Sequence, residues 1–378
     1  MTVAFLNENT LGHTSYLPRF TAELARRPEL GVTPRLIDAL PLPAHLKRLG
    51  DASVRGLRRF GLDFHATRWR IAASRHLREQ LDRLCQREHV DAVVVNTQSM
   101  GLELEGLDPS IPILVGLDAT FRQLASSPWF GPNVVSRVLQ PLTLGGLLRR
   151  ERRLFSRVTR FLPWSDPVRD ALITQYGVRP ERISLLPPSM AAPPRRISPL
   201  REGGTSRPQI LFVGGDFARK GGAILLECHA RHFADRCDLH LVTQGAVPSG
   251  PGRTVHRQLS AGSDAWRRCW TDADLFVFPS RLETFGIVLL EALAFEVPII
   301  SSRAGAAASI LEDGSLGVLL PELTVESLRA AMETVLGDPA GARTRALQGR
   351  ARFDRDFELA ANTERLAGWI RESVRGAK

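Results

Sequence analysis

Lysine is nearly absent from this 378-residue chain: of its 50 basic residues only Lys47, Lys220 and Lys378 are lysines, and the other 47 are arginines. Cysteine is scarce too. Cys85, Cys228, Cys237 and Cys269 form no Cys-x-x-Cys pair, and their spacing suggests neither a zinc site nor a disulfide framework. Scattered free thiols fit a reducing cytoplasm. No apolar run approaches the roughly 18 residues that a bilayer span requires. The segment Met1–Asn7 reaches Glu8 after one short apolar run, without a basic stretch ahead of it, so no secretory leader is expected. The expected location is therefore the cytoplasm, with any membrane contact peripheral and on its cytoplasmic face. Two nucleotide motifs are also missing. Lys220 precedes Gly221 and Gly222, which is not the order of a P-loop, and no Gly-x-Gly-x-x-Gly follows the apolar runs Val3–Asn7 or Ile210–Val213. A P-loop ATPase and a standard NAD enzyme are disfavoured. No metal-ligand cluster is evident, and Cys228-His229-x-x-His232 reads as an ordinary helix surface. No internal repeat or low-complexity segment stands out.

What is present is a globular composition, 43% hydrophobic and 24% charged, with length for two domains. That excludes a largely disordered chain and a collagen-like repeat. The net charge of +10 is uneven: residues 1–200 hold 28 Lys+Arg against 18 Asp+Glu, and residues 201–378 hold 22 of each. Short β-branched runs alternate with amphipathic stretches, which predicts βα units and parallel sheets. The predicted strands are Val3–Asn7, Pro34–Asp38, Asp91–Asn96, Ile111–Leu117 and Val158–Pro163, then Gln209–Val213, Leu239–Thr243, Thr254–Leu259, Leu275–Pro279 and Pro298–Ser301. Between the two sets, Pro187–Pro208 contains six prolines and Gly203-Gly204, a density that neither a helix nor a central strand tolerates. It reads as a linker between two α/β domains. The tail from Ala340 reads as helices anchored by Phe353, Phe357, Leu366 and Trp369.

The densest chemical signal is Asp274-Leu-Phe-Val-Phe-Pro-Ser-Arg-Leu-Glu283-Thr-Phe-Gly-Ile-Val-Leu-Leu-Glu291. A buried strand ends at Pro279-Ser280, and a helix starts near Phe285-Gly286. Glu283 then falls in the loop at the carboxyl edge of the sheet, where open α/β sheets bind ligands. Glu291 falls just inside the helix, whose first N–H groups can hold a phosphate. Carboxylates there suit sugar or ribose hydroxyls, although the same spacing also describes two solvated glutamates beside an ordinary helix. The second signal is Ile210-Leu-Phe-Val-Gly214-Gly215-Asp216-Phe-Ala-Arg219-Lys220-Gly221. A strand runs into a glycine loop with two cations, which could neutralise a diphosphate or simply cap the strand in solvent. One of the chain's two non-terminal lysines sits in that loop, where a compact ammonium would serve.

Taken together, these residues resemble the retaining, nucleotide-sugar-dependent glycosyltransferases of family 4 (glycosyl transferases group 1). Glu283 to Glu291 matches the family's Glu-x7-Glu element and Gly214 to Gly221 its glycine loop. Pro298-Ile-Ile-Ser-Ser and Gly317-Val-Leu-Leu-Pro321 look like the strands that follow. Trp164-Ser-Asp-Pro-Val-Arg169 and the segment Tyr176–Pro188 resemble the stretch before the hinge, and Asn9-Thr-Leu-Gly-His13 the N-terminal glycine loop. The resemblance implies a GT-B fold: two Rossmann-like α/β domains facing each other across a cleft, with C-terminal helices returning to the first. The implied divisions are an acceptor domain over 1–190, a linker over 191–208, a nucleotide-sugar domain over 209–350 and a crossing helix over 351–378. Gly214, Gly215, Arg219 and Lys220 would bind the donor diphosphate. Glu291 would hold ribose, and Glu283 would face the transferred sugar. Thr284, Phe285, Gly286 and Ile287 would contribute around the sugar and phosphate, and Thr243 would border the base. The chain departs from the pattern at Gly215-Asp216, where many members have an arginine, and at Arg303-Ala-Gly-Ala-Ala-Ala-Ser309, where many have Gly-Gly and a glutamate.

For the acceptor side, many members carry a histidine at the end of an N-domain strand. Here the strand ends in Asp118, which is either that position or the N-cap of the next helix; His13 is the other candidate. The implied reaction is transfer from a UDP- or GDP-sugar to a glycan, glycolipid or small-molecule hydroxyl, with retention and with no cofactor or metal. Residues 42–90 hold 11 Lys+Arg against 5 Asp+Glu, with Leu77, Leu81 and Leu84 as a core stripe and Arg68, Arg70, Arg75, Arg78 and Arg83 largely elsewhere. Leu147–Phe155 is a second basic patch. Such patches suit an anionic or lipid-linked acceptor, or a solvated face. The competing readings are a GT-B sugar-nucleotide epimerase or phosphorylase, and a basic nucleic-acid-binding protein, for which no recognised module is present.

Overall fold

The computed structural model describes residues 1–51, 64–126, 134–195, 207–248 and 250–377. Parts of the basic stretch 42–90 (52–63), most of the proline-rich linker (196–206) and Lys378 lie outside the described residues. The chain divides into two compact units, one formed by Met1–Met190 with Leu359–Lys378 and the other by Ala191–Glu358.

The first unit is built on strands β1 (Thr2–Asn7), β2 (Thr33–Asp38), β3 (Ala92–Asn96), β4 (Ile113–Leu117) and β5 (Val158–Pro163). They form one parallel sheet in the order β2-β1-β3-β4-β5. β3 and β4 are apolar without interruption and buried along their whole length, as expected for parallel strands with helices on both faces. The chain leaves β1 for β2 on one side and re-enters at β3 on the other. The strand order therefore reverses between β1 and β3, the kind of position where open α/β sheets bind ligands, and the loops after those two strands are tied by the Glu8 N–H to the Asn96 carbonyl at 2.8 Å. On the helix His65–Cys85, Leu77 and Leu81 are fully buried, as the stripe predicts, and Arg75 and Arg83 are exposed. Arg70 departs from the expected solvated face. It packs over the Phe121 ring at 5.8 Å, and burial lowers its pKa against the pull of Glu8 and Asp118.

The second unit holds β6 (Gln209–Val213), β7 (Asp238–Val242), β8 (Arg253–His256), β9 (Leu275–Phe278), β10 (Ile299–Ser301) and β11 (Val318–Leu319). The sheet is again parallel, in the order β11-β10-β9-β6-β7-β8. Here the order reverses between β6 and β9. The helix Gly222–His232 corrects one expectation. Cys228 and His229 are fully buried rather than on a helix surface, because that face of the helix packs into the core with Phe233, Leu239 and Met332. There His229 Nε2 lies 3.0 Å from the carbonyl of Cys237, while Nδ1 is buried without a partner among the described residues.

The tail is two helices, Pro339–Asp356 in the second unit and Leu359–Ala377 in the first. Phe353, Phe357 and Leu366 are buried; Trp369 is only partly so, and Ile370 takes the buried position beside it. The last helix is fastened to the first unit by Arg27 to Glu364 at 2.6 Å, Arg371 to the Leu30 carbonyl at 2.6 Å, and Asn362 to the Ser189 hydroxyl at 2.8 Å.

Candidate functional site

In the second unit, chemistry gathers where the strand order reverses. β9 ends because Pro279 has no N–H to continue the ladder. The chain then turns through Ser280–Phe285 into the helix Ile287–Ala294. β6 ends beside it and turns through Gly214–Gly221 into the helix Gly222–His232. The two loops are tied by the Arg281 N–H to the Arg219 carbonyl at 2.9 Å. At Gly221, φ is +76° and a Cβ would fall on the carbonyl oxygen of Pro279, so only glycine allows the loops to close this far.

This closure brings together Arg219, Lys220 and Glu283. Lys220 Nζ is ion-paired with Glu283 Oε1 and lies 5.1 Å from the centre of the Phe278 ring. Arg219 Nη1 donates to the Leu282 carbonyl at 2.8 Å and lies 3.4 Å from Glu283 Oε1. The Ser280 hydroxyl is 3.2 Å from the same oxygen. Both members of the Lys220–Glu283 pair are largely buried, so each is held by the other's charge. Burial lowers the Lys220 pKa, with Glu283 opposing it. Asp216 belongs to the Gly215-Asp216 departure noted above, and its carboxylate accepts from the Arg219 backbone N–H and from Nε, each at 3.2 Å. It thereby aims Arg219 toward the β9 loop.

The rest of the predicted set lies close by. Thr243 is buried just beyond β7, accepts from the Gly245 N–H at 3.1 Å and lies 3.5 Å from the Gly215 carbonyl. Gly214 abuts the Lys220 side chain, while Gly215 faces open space. Phe285 and Glu291 are buried; Thr284 and Ile287 are partly exposed. Gly286 caps the helix that carries Glu291. The strip after β10 is a lid on this loop. Gly305, at φ +64°, has no room for a Cβ, which would lie 2.7 Å from Glu283 Cβ, and the Ala306 N–H donates to the Phe285 carbonyl at 3.3 Å. Ser280, Ser302 and Gly305 were not singled out from the sequence. Ser302 donates to the Ser280 carbonyl at 2.6 Å, and that contact follows from β10 lying next to β9.

In the first unit, the reversal point holds both acceptor-side candidates at once. His13 Nε2 is 3.6 Å from Asp118 Oδ2, and His13 Nδ1 is 3.3 Å from the Asn96 amide. The imidazole lies 4.9 Å from Trp164, ring to ring. Glu8 accepts from Thr10 at 2.9 Å and from Thr97 at 2.7 Å. Burial works to lower the His13 pKa, but Asp118 first, then Glu8 and Asn96, outweigh it, and the net shift is upward. Asp118 is not the N-cap of the following helix. Thr120 is: its hydroxyl accepts from the Gln123 N–H at 3.1 Å, and the Gln123 side chain accepts from the Thr120 N–H at 3.0 Å. The Thr-x-x-Gln spacing, legible in the sequence, would have assigned that cap.

Among the described residues, no group of three or more His, Cys, Asp or Glu side chains could hold a metal ion, and no helix is long and apolar enough to cross a membrane.

Residues 207–338, which contain the whole of the Arg219–Lys220–Glu283 cluster, match the family described as glycosyl transferases group 1. Among curated proteins the chain is 26% identical over 242 residues to the MMP alpha-(1->4)-mannosyltransferase of Mycolicibacterium hassiacum, a stretch covering 61% of this chain and 56% of that one. The matched stretches span about half the length of the curated relatives. Among solved structures, the sucrose-phosphate synthase of Thermosynechococcus elongatus superposes with a TM-score of 0.69 over 100% of both chains at 18% identity. Anabaena HepE, solved in complex with UDP and glucose, superposes with a TM-score of 0.63 over 98% of this chain and 99% of that one, at 16% identity. Both units have the parallel α/β build of those GT-B proteins, and the segment 207–338 carries the match to the glycosyl transferases group 1.

Proposed function

We propose that this protein is a retaining glycosyltransferase that moves a sugar from a nucleotide-diphosphate sugar to an acceptor hydroxyl, in the synthesis of a glycan or glycolipid. The observation that carries the reading is the cluster of Lys220, Arg219 and Glu283 astride the strand-order reversal of the second unit. Two cations, Arg219 held by the Leu282 carbonyl and Lys220 by the Glu283 carboxylate, suit a diphosphate, whose oxygens would take over Lys220 from Glu283. Glu283, so released, is placed to accept from hydroxyls of the transferred sugar. Glu291, one helical turn further on, would hold ribose. Thr243, at the end of the neighbouring strand, would border the base. HepE, which shares the fold, was solved with UDP and glucose, and that supports a UDP-sugar as the first donor to try.

In the transfer, the bond between the anomeric carbon and the diphosphate oxygen breaks as the acceptor oxygen bonds to the same face of the carbon. The acceptor proton passes to the departing phosphate oxygen. Arg219 and Lys220 stabilise the charge that grows on that oxygen, the kind of interaction whose loss costs about 10²–10³ in rate. His13 and Asp118 belong to the acceptor side, where a charged imidazole held by a carboxylate would orient hydroxyls. The basic excess of the first unit favours an anionic acceptor or an anionic membrane surface.

The test is a thermal-shift screen over UDP-, GDP- and ADP-sugars, followed by transfer assays with the donor found. A donor that stabilises the protein, with Glu291→Ala abolishing the shift, is the expected result. No shift with any nucleotide sugar, together with no effect of Glu291→Ala, would sink the proposal. A requirement for inorganic phosphate would point to a phosphorylase instead, and inversion at a sugar carbon of the free donor to an epimerase.

A further inference from the structure

One buried carboxylate has no part in the mechanism above. Glu151 lies in the helix Val134–Arg157 within the run Arg149-Arg150-Glu151-Arg152-Arg153, yet it is fully buried, while Arg152 and Arg153 are exposed. Its Oε1 accepts from the backbone N–H of Phe121 at 2.8 Å, and its Oε2 accepts from the Tyr176 hydroxyl. The Gln98 side chain lies close enough to favour its ionised form. Gln98 donates to the Ala119 carbonyl at 2.7 Å. The carboxylate and the amide therefore grip both ends of Ala119-Thr120-Phe121, the segment that follows directly on Asp118. The Thr120–Gln123 cap fixes the middle of that segment.

We propose that Glu151 is the positioning residue for the His13–Asp118 pair: by holding the Phe121 N–H and the Tyr176 hydroxyl it keeps the turn at 118–121 where Asp118 meets His13. Ionised, Glu151 accepts from both donors. Protonated, the carboxyl is neutral: both contacts lose their charge assistance, and one of its oxygens becomes a donor. Burial raises this carboxyl to about 7, against the pull of the Phe121 N–H, Tyr176, Gln98 and Arg122. The grip therefore changes near neutrality. Tyr176 and Arg122, whose guanidinium sits 5.9 Å from the Tyr176 ring centre, are the titratable and charged groups that face it. The involvement of His13 and Asp118 in transfer rests on the function proposed above; their positioning by Glu151 does not.

The experiment is an NMR titration of the His13 imidazole in the full chain, for the wild type, Glu151→Ala and Glu151→Gln. The wild type is expected to titrate above the ordinary histidine value. Glu151→Ala is expected to lower His13 by about one pH unit, as Asp118 moves off and burial is opposed only by Glu8 and Asn96. Glu151→Gln keeps an oxygen for the Phe121 N–H and is expected to restore the wild-type value while removing any inflection near neutral pH. A folded Glu151→Ala with an unmoved His13 overturns the proposal, and so does a Gln variant as displaced as the Ala one. If Glu151→Ala does not fold by circular dichroism, Gln98→Ala, which frees the other end of the segment, decides in the same way. Nucleotide-sugar thermal shifts on the same samples separate the two ideas. A moved His13 without donor binding removes the transferase reading alone, and donor binding with an unmoved His13 removes the positioning role alone.

Discussion

The first unit holds 30 Lys+Arg against 20 Asp+Glu, and the second 20 of each, although both are parallel sheets whose strand order reverses once. Net charge alone would send an anionic ligand to the first unit. The proposed diphosphate site lies in the second. There, Arg219 and Lys220 are aimed by Asp216, Glu283 and backbone carbonyls at one point between β6 and β9. In the first unit Arg75, Arg83, Arg87, Arg149, Arg152 and Arg153 are exposed, and the reversal point holds a mixed set, with Glu8 and Asp118 beside His13. Local convergence decides where an anion can bind; the overall excess decides what the outer surface attracts, and only at low salt.

The comparison can be broken most sharply at Gly221. Gly221→Ala puts a Cβ on the Pro279 carbonyl at a positive φ, and a loss of about 3 kcal/mol or more in unfolding free energy is expected, with donor binding gone. Gly215→Ala, six residues earlier and facing open space, is expected to stay within about 0.5 kcal/mol of wild type in the same urea titration. Next in size is the ion cluster. Lys220→Ala leaves Glu283 largely buried with less of its counter-charge, and is expected to lower transfer by about 10²–10³ with a smaller loss of stability. Unchanged donor turnover in this variant would remove the cation role.

In the first unit the effects are expected to be smaller and to depend on pH. The His13 pKa is raised in the folded chain, so its pairing with Asp118 adds stability fully present below the unfolded value of 6.5 and lost as pH rises through the folded one. Asp118→Asn is expected to erase that slope in urea midpoints measured from pH 5.5 to 9 (about the range over which histidine titrates). Glu151 acts in the opposite sense to an ordinary ion-paired carboxylate. Its folded value of about 7 lies above the ordinary 4.5, so between those values the folded chain keeps a proton that the unfolded chain has lost, and stability falls as pH rises. Glu151→Gln is expected to flatten that window. The smallest effect is on the surface: Arg75→Gln with Arg83→Gln is expected to shift stability by less than about 0.5 kcal/mol while weakening binding to anionic vesicles at low salt. Vesicle binding that survives both substitutions would remove these arginines from any membrane role.

All ten strands read from apolar runs are present, with ends displaced by at most three residues. The central ones were legible because parallel strands buried on both faces are written as continuous Val, Ile, Leu and Phe, whereas the edge strands β2 and β8 are half-exposed and mixed in composition. β11, two residues long, is too short for a period and shows only through the likeness of Gly317–Pro321 to the family. The loop residues Arg219, Lys220 and Glu283 were legible as types. Their ion pair was not, because it depends on β6 and β9 being neighbours, which is a property of strand order rather than of any local pattern. The same holds for His13 and Asp118, read as alternatives and found as partners. Glu151 was hidden for another reason. A carboxylate within a run of arginines reads as part of a solvated face, and only the tertiary fold turns it inward toward Phe121 and Tyr176.

The exchange between units at Phe357–Glu358 has a consequence for synthesis. The second unit is one uninterrupted stretch and can close as soon as it has left the ribosome. The first unit begins to emerge earlier but cannot finish, because Leu366, Ala367 and Ile370, which complete its buried surface, are made only after the whole of the second unit. The half that starts first is completed last. A stop codon placed after Glu358 should therefore leave a folded second unit attached to an incomplete first one.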